Sequence, residues 1–267
     1  AAHGAGAQLL ERGAGQRLKG RCASIWSYQF YGRRTFRMHR DFAHGRFDWA
    51  LVDDRERGVF RVNRRVFTDE AVFRAERRAI FERCWLYAAH ESELAQPSAF
   101  VSRSVGGVPL LLNRDRGGTL HAFFNSCPHR GAMVCREPQG RARNFTCPYH
   151  GWVFGDDGTA LARPLAESYS AACLQDPTLH LRPVPRFERF AGFLFVSFAD
   201  GGESLAEYLA DAGDYLRMVA EQDAETMVVV GGMQAYSARA NWKLLQENSA
   251  DGYHAVTTHS TYFDYIR

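Results

Sequence analysis

The 267-residue sequence is poor in cysteine and lysine and contains no long apolar run. Six cysteines are too sparse for a disulfide scaffold, which leaves a hydrophobic core to hold the fold and points to a reducing cytoplasm. The longest nearly apolar stretch, Phe190 to Ala199, is interrupted by Ser197 and is about half the roughly 20 residues that cross a bilayer, which excludes a membrane helix. Lys19 and Lys243 are the only lysines among 33 basic residues, a compositional bias without functional content. The net charge is +3. Its excess sits in residues 1–37, where seven Lys/Arg face the single acid Glu11, so no nucleic-acid partner is inferred. No methionine precedes Met38. The Gly/Ala- and Arg-rich residues 1–37 read as a disordered or non-native leader, with a transit peptide as the other reading.

What is present is 46% hydrophobic residues, enough to bury cores for about two domains at roughly 150 residues each. Residues 38–90 read as a helical lead-in. In it Thr68 is the expected N-cap, Asp69 and Glu70 the acidic first turn, and Val72, Phe73, Ala79, Ile80 and Phe81 the apolar face, ending near Arg83. Short strands are expected at 100–105, 108–113, 120–125, 143–147, 152–155, 160–163 and 193–198. They are separated by Gly106-Gly107, by the 115–118 turn and by Asp156-Asp157-Gly158, at hairpin spacings. Residues 91–190 therefore read as a small antiparallel β domain. From 191 to 267 the texture changes to α+β: an amphipathic helix over 204–221 burying Leu205, Tyr208, Leu209, Tyr215 and Leu216, a long strand over 225–240, and a helix from Asn241 to about His254.

The chemistry-bearing pattern lies inside the β domain. Cys127-Pro128-His129-Arg130-Gly131 and, with seventeen residues intervening between His129 and Cys147, Cys147-Pro148-Tyr149-His150-Gly151-Trp152 each supply one thiolate and one imidazole from a loop punctuated by Pro and Gly. A Cys2His2 zinc site uses the same ligand types, but zinc fingers pair their cysteines together and their histidines together. Mixed loops fit a [2Fe-2S] cluster with two imidazole ligands. Such clusters have potentials of roughly −150 to +300 mV, against about −400 mV for four-cysteine ferredoxins. Cys22, Cys84, Cys135 and Cys173 have no histidine at ligand spacing and read as free thiols, mostly buried.

A second group follows at Asp251, His254 and His259. Histidines five apart stand about 140° out of superposition on an ideal helix, so sharing one metal requires the helix to end or bulge between them, where Thr257 and Thr258 loosen it. Two histidines plus a carboxylate is the arrangement that holds non-haem Fe(II) with open positions. Spacing alone leaves ordinary surface or core histidines as the alternative.

Both loop motifs, with the Asp-x-Tyr-His-x4-His pattern of Asp251, Tyr253, His254 and His259, resemble the large (α) subunit of aromatic ring-hydroxylating dioxygenases, in the Rieske non-haem iron oxygenase family. The resemblance runs from about Asp48 to Arg267. It implies an α+β chain: an antiparallel Rieske domain and the beginning of a helix-grip-like catalytic domain, as the N-terminal portion of such a subunit. It implies Cys127 and Cys147 on one iron and His129 and His150 on the other, with His254 and His259 on a mononuclear iron whose third ligand, an aspartate, lies beyond Arg267. Asp264 is the acid nearest the end. Asp251 resembles the aspartate that links a Rieske histidine of one subunit to an iron histidine of its neighbour, and Glu247 and Asn248 read either as its support or as structural helix residues.

The implied activity is O2- and NAD(P)H-dependent cis-dihydroxylation of an aromatic acid or hydrocarbon. The implied partners are a reductase, a ferredoxin in some systems, and an α3 or α3β3 assembly. Rival readings are a Rieske monooxygenase or demethylase, a Rieske electron carrier without catalysis, and a zinc module.

Overall fold

The computed structural model describes residues 47–222, 227–230 and 237–267. They fall in two compact units, one of residues up to Phe73 with Ala238–Arg267 and the other of Arg74–Ser237. The expected leader 1–37, Cys22 and half of the expected 225–240 strand lie outside the described residues. Met227–Val230 are described and join no strand. There the Val229 N–H donates to the Ser92 hydroxyl (3.0 Å) instead of to a ladder, and Val230 is exposed.

The first unit contains a hairpin inside the 38–90 stretch expected as a helical lead-in, β1 (Leu51–Asp54) and β2 (Val59–Val62). Its turn is fastened by the Arg57 N–H donating to Asp54 Oδ1 (3.0 Å). Helix α1 (Glu70–Glu76) is capped by Asp69, not by Thr68. Asp69 Oδ1 accepts the N–H groups of Ala71 (2.9 Å) and Val72 (3.3 Å), while Thr68 closes the preceding 3-10 turn. The helix runs on as a π-turn over Arg77–Phe81. Phe73, expected on the buried face, is exposed, whereas Val72 is buried.

The second unit is built on three antiparallel sheets. Its strands are β3 (Leu86–His90), β4 (Ala99–Val105), β5 (Val108–Arg114), β6 (Leu120–Phe124), β7 (Gln139–Arg141), β8 (Asn144–Thr146), β9 (Val153–Gly155), β10 (Ala160–Ala162), β11 (Arg186–Phe190) and β12 (Phe193–Ser197). They order as β6-β5-β4-β7, β10-β9-β8 and β11-β12-β3. Side chains alternate across a strand, and here both faces of the four-stranded sheet are covered. Val101, Leu110, Leu112 and Ala122 pack with Ala88, Leu194 and Val196 of the β3–β12 sheet. From the opposite face Phe100, Leu111 and Phe123 pack with Phe145, Phe154, Trp152 and the two motif cysteines, Cys127 and Cys147. Burial on both sides is why β5 reads Leu110-Leu111-Leu112 without alternation.

The outer face of the β11-β12-β3 sheet is closed by helices. After the single turn α2 (Ala171–Leu174) come α3 (Leu205–Leu209) and α4 (Ala212–Ala220). Ser204 and Glu207 form a capping box, and Leu205, Tyr208, Leu209 and Leu216 pack with Trp85 and Phe195. The expected single helix over 204–221 is thus two, broken at Ala210, whose φ is +43°. The break changes the helical phase, so Tyr215 is exposed while Arg217 lies 4.7 Å over the Phe190 ring.

One ion pair crosses from β4 to the 3-10 turn after β3. Arg103 holds Glu93 with both terminal nitrogens (2.7 and 3.3 Å), and Glu93 also accepts the His90 N–H (2.8 Å). The two side chains are 11% and 10% exposed. Removing one member strands a buried charge, so Glu93→Ala is expected to cost about 3–5 kcal/mol, read as a lower denaturant midpoint. A loss under about 1 kcal/mol would place the pair in the class of solvated surface bridges.

Back in the first unit, α5 (Trp242–Ala250), α6 (Ala255–Thr258) and α7 (Ser260–Tyr265) follow one another. Asn241 caps α5 by accepting the Lys243 N–H (3.1 Å). The helix stops at Ala250, four residues before the expected end, because Asp251 takes an extended conformation at its C-cap.

Candidate functional site

The two Cys/His loops are the same knuckle made twice. The Cys127 N–H donates to the Ala132 carbonyl (2.8 Å) and the Gly131 N–H to the Cys127 carbonyl (2.8 Å). In the second loop the Cys147 N–H donates to the Trp152 carbonyl (2.8 Å) and the Gly151 N–H to the Cys147 carbonyl (3.0 Å). A proline follows each cysteine and fixes φ as the turn enters. The glycine four residues on has φ +72° at Gly131 and +69° at Gly151, the left-handed region that costs other residues about 1 kcal/mol or more. The first loop leaves β6 and the second joins β8 to β9, so both are anchored on ladders.

The knuckles bring like with like. Cys127 and Cys147 are 3% and 1% exposed. Burial pushes the Cys127 thiol above its usual range, with the adjacent Cys147 thiol adding to the effect. The His129 and His150 rings stand 4.7 Å apart at 64°. Burial, reinforced by the neighbouring His150 and Arg130 charges, lowers the His129 pKa. His129 Nδ1 is buried with no hydrogen-bond partner, a costly arrangement unless a group fills it.

These residues fit a [2Fe-2S] cluster. Two thiols together can serve one iron and two imidazoles the other, with the orphaned nitrogen of His129 available as a donor. A coordinating cation also reverses the burial penalty on the thiols.

Sequence reasoning missed the residue that holds the first knuckle in place. The Asn125 side chain is buried and makes four hydrogen bonds. Its Nδ2 donates to the Cys135 carbonyl (2.7 Å) and the Ser102 hydroxyl (2.8 Å), and its Oδ1 accepts the N–H groups of Val134 (3.0 Å) and Cys135 (2.9 Å). The available signal was a polar residue closing an apolar strand two positions before Cys127. Trp152 is a second omission. Its indole lies parallel to the His129 ring, 5.0 Å between centroids at 2°.

The remaining thiols were expected to be mostly buried. Of those described, Cys135 is buried while Cys84 and Cys173 are half-buried. Burial, with Glu137 nearby, pushes Cys135 up to about 11, which marks an inert neutral thiol.

Asp251, His254 and His259 lie together in the first unit. Asp251 Oδ1 accepts the Tyr253 N–H (2.7 Å), an Asx turn that redirects the chain out of α5. Its Oδ2 lies 3.3 Å from His254 Nδ1. The five-residue spacing is accommodated by helix ends: His254 is the N-cap of α6, and His259, at φ −112° and ψ 27°, both ends α6 and starts α7. The rings come within 5.3 Å at 68°. Thr257 donates its hydroxyl to the His254 carbonyl (3.1 Å), so its role is to hold this turn. Glu247 contributes its backbone carbonyl to the Asp251 N–H (2.9 Å). Asp264 faces Arg267 (3.6 Å).

Residues 84–185 match the Rieske [2Fe-2S] domain family. The chain is 35% identical over 230 residues to toluate 1,2-dioxygenase subunit alpha of Pseudomonas putida, covering 85% of this chain and 50% of the relative. It is 36% identical over 195 residues to the N,N-dimethyl phenylurea N-demethylase subunit alpha of Sphingobium sp. strain YBL2, covering 73% and 42%. Its fold is similar to naphthalene 1,2-dioxygenase from Rhodococcus sp. bound to indole, with a TM-score of 0.71 and 34% identity over 75% of this chain and 46% of that one. The chain thus spans about half the length of the relatives it matches. No helix among the described residues is long and apolar enough to cross a membrane.

Proposed function

Since this chain is a Rieske-domain homologue of the large subunits of aromatic ring-hydroxylating dioxygenases, we propose that it serves as such a subunit in the cis-dihydroxylation of an aromatic acid or hydrocarbon. The observation that carries the reading is the presence of two separate groups in one chain. A Rieske carrier needs the paired loops alone and has no use for Asp251, His254 and His259. In this reading residues 91–190 form the Rieske domain and 191–267 open the catalytic domain. Electrons come from NAD(P)H through a separate cytoplasmic reductase, with or without a ferredoxin, and the working assembly is α3 or α3β3.

Cys127 and Cys147 would hold one iron of the cluster, His129 and His150 the other, and His254 and His259 a mononuclear ferrous ion. When bound, the cluster supplies one-electron transfer and the ferrous ion the site for O2. The protein's own task is placement. Asp251 Oδ2, beside His254 Nδ1, accepts a hydrogen bond from the Nδ1–H, which fixes the tautomer and leaves Nε2 as the metal donor. The same carboxylate retains lone pairs to accept an N–H from a Rieske histidine of a neighbouring subunit.

Asp251→Asn is nearly isosteric but exchanges an acceptor oxygen for a donor. In the protein expressed from its native gene it is expected to keep both metals and to slow single-turnover reoxidation of the pre-reduced protein by O2 and substrate by about 100-fold or more, a loss on the order of 3 kcal/mol. An unchanged rate would remove Asp251 from the electron path. The activity itself is tested with labelled O2, NADH, a reductase and a panel of aromatic acids and hydrocarbons. A cis-diol carrying both labelled oxygens supports the dioxygenase. The demethylase relative makes a dealkylated product with release of an aldehyde the outcome that would replace this reading.

A further inference from the structure

Arg163 is a cation in an unusual place. It follows β10, is 8% exposed, and its Nε and Nη2 are buried without a hydrogen-bond partner. Its Nη1 donates to the Leu174 carbonyl (3.2 Å), and no carboxylate lies within ion-pair distance of it among the described residues. The guanidinium carbon lies 4.8 Å from the centroid of the Trp152 ring, the same indole that stacks on His129. The next residue, Pro164, is the neighbour that a Cβ on Gly151 would meet at 3.4 Å, so the Arg163 segment is packed against the second knuckle. The Asp176 carboxyl is held low chiefly by Thr178, with the Arg163 and His180 charges adding to the effect. Arg163 and the Asp176 carboxylate thus feel each other's charge without forming an ion pair.

Burying a guanidinium with two unmet donors is costly, and packing alone would be served by methionine or leucine. We propose that Arg163 is a tuning residue for the cluster site, its buried charge raising the reduction potential through the Trp152–His129 stack. The inference rests on the [2Fe-2S] reading of Cys127, His129, Cys147 and His150. Taking up one electron from a mediator adds one negative charge to the site and breaks no bond, so a fixed, poorly screened cation favours the reduced form. Through two aromatic rings the effect is of order tenfold in the equilibrium constant for reduction, and for a one-electron couple tenfold is 59 mV.

The test is a mediated redox titration of the iron-loaded chain at pH 7, followed by visible circular dichroism and EPR, on the wild type, Arg163→Lys, Arg163→Met and Arg163→Gln. The two neutral variants are expected to retain iron, sulfide and the wild-type EPR line positions while their midpoints fall by about 59 mV, tenfold in the one-electron equilibrium. Arg163→Lys, which keeps the charge, should stay close to the wild type. Unchanged midpoints in the neutral variants would overturn the proposal, and so would an equal fall in Arg163→Lys, which would assign the effect to shape. Failure of both neutral variants to hold a cluster would make Arg163 structural and also overturn it. Absence of a Rieske signal from the wild type would instead overturn the underlying cluster reading.

Discussion

Replacing Cys147 by alanine is expected to give a colourless protein, with iron and acid-labile sulfide falling from about two of each per chain to background. The thiol is 1% exposed and faces Cys127, so its loss removes one of the two paired sulfur donors. The substitution leaves the knuckle intact, because that knuckle is held by backbone hydrogen bonds at the Cys147 N–H and carbonyl. The unfolding midpoint of the metal-free variant should therefore stay near that of the metal-free wild type, separating loss of a ligand from loss of fold. Two controls sharpen the result. Cys135→Ala removes an equally buried thiol whose S–H is turned toward the Glu137 carbonyl (3.6 Å) and should keep the full cluster. His254→Ala alters the other group and should keep the colour too. Full retention of iron and sulfide in Cys147→Ala would show that the ligand set is wrong.

Asn125→Ala is the second large effect. It leaves the N–H groups of Val134 and Cys135 without their present partners and the Cys135 carbonyl with only the longer bond from the Ser102 hydroxyl (3.4 Å), in a segment where both residues are 4% exposed. Each stranded buried group costs about 1–3 kcal/mol, and with partial relaxation the total is expected at about 3–5 kcal/mol, enough to take a large share of a typical domain's stability. The cluster should be lost faster than in the wild type when the protein is challenged with a chelator, because the first knuckle is hung from this amide. Asn125→Asp separates size from hydrogen bonding: it fits, but an ionised carboxylate donates nothing to the Cys135 carbonyl. Denaturant melts and the rate of colour loss check both variants. A wild-type melt for Asn125→Ala would mean that the loop is held by its packing alone.

How much of this was legible in the sequence depended on whether side chains or backbone carried the information. The hairpins around Gly106-Gly107 and Gly158 and the two Cys/His loops announce themselves through turn residues and spacing, and the strands appear within a residue or two of their expected limits. β7 was invisible because Gln139–Arg141 is exposed throughout and has no apolar residue. It exists as an edge partner of Ala99–Val101. The break between α3 and α4 was equally hidden, since Ala210 carries no sign of its left-handed φ. Gly213 beyond it is needed for packing, as a Cβ there would stand 2.9 Å from Phe190 Cζ.

At the site, residue types pointed to the donors but not to their supports. Asn125, Trp152 and Arg163 act by position, and a single sequence does not reveal which carbonyl or ring a side chain will face. The histidine pair was read as incompatible with one continuous helix, and the structure meets that constraint by placing His254 and His259 at the two ends of α6.

The central claim, that Cys127, Cys147, His129 and His150 hold a two-iron cluster, is tested most directly by EPR of the dithionite-reduced protein combined with iron, sulfide and zinc analysis. About two irons and two acid-labile sulfides per chain, with a rhombic signal distinct from that of four-cysteine clusters, is the predicted result. Stoichiometric zinc with no signal, in protein produced with ample iron, would contradict it.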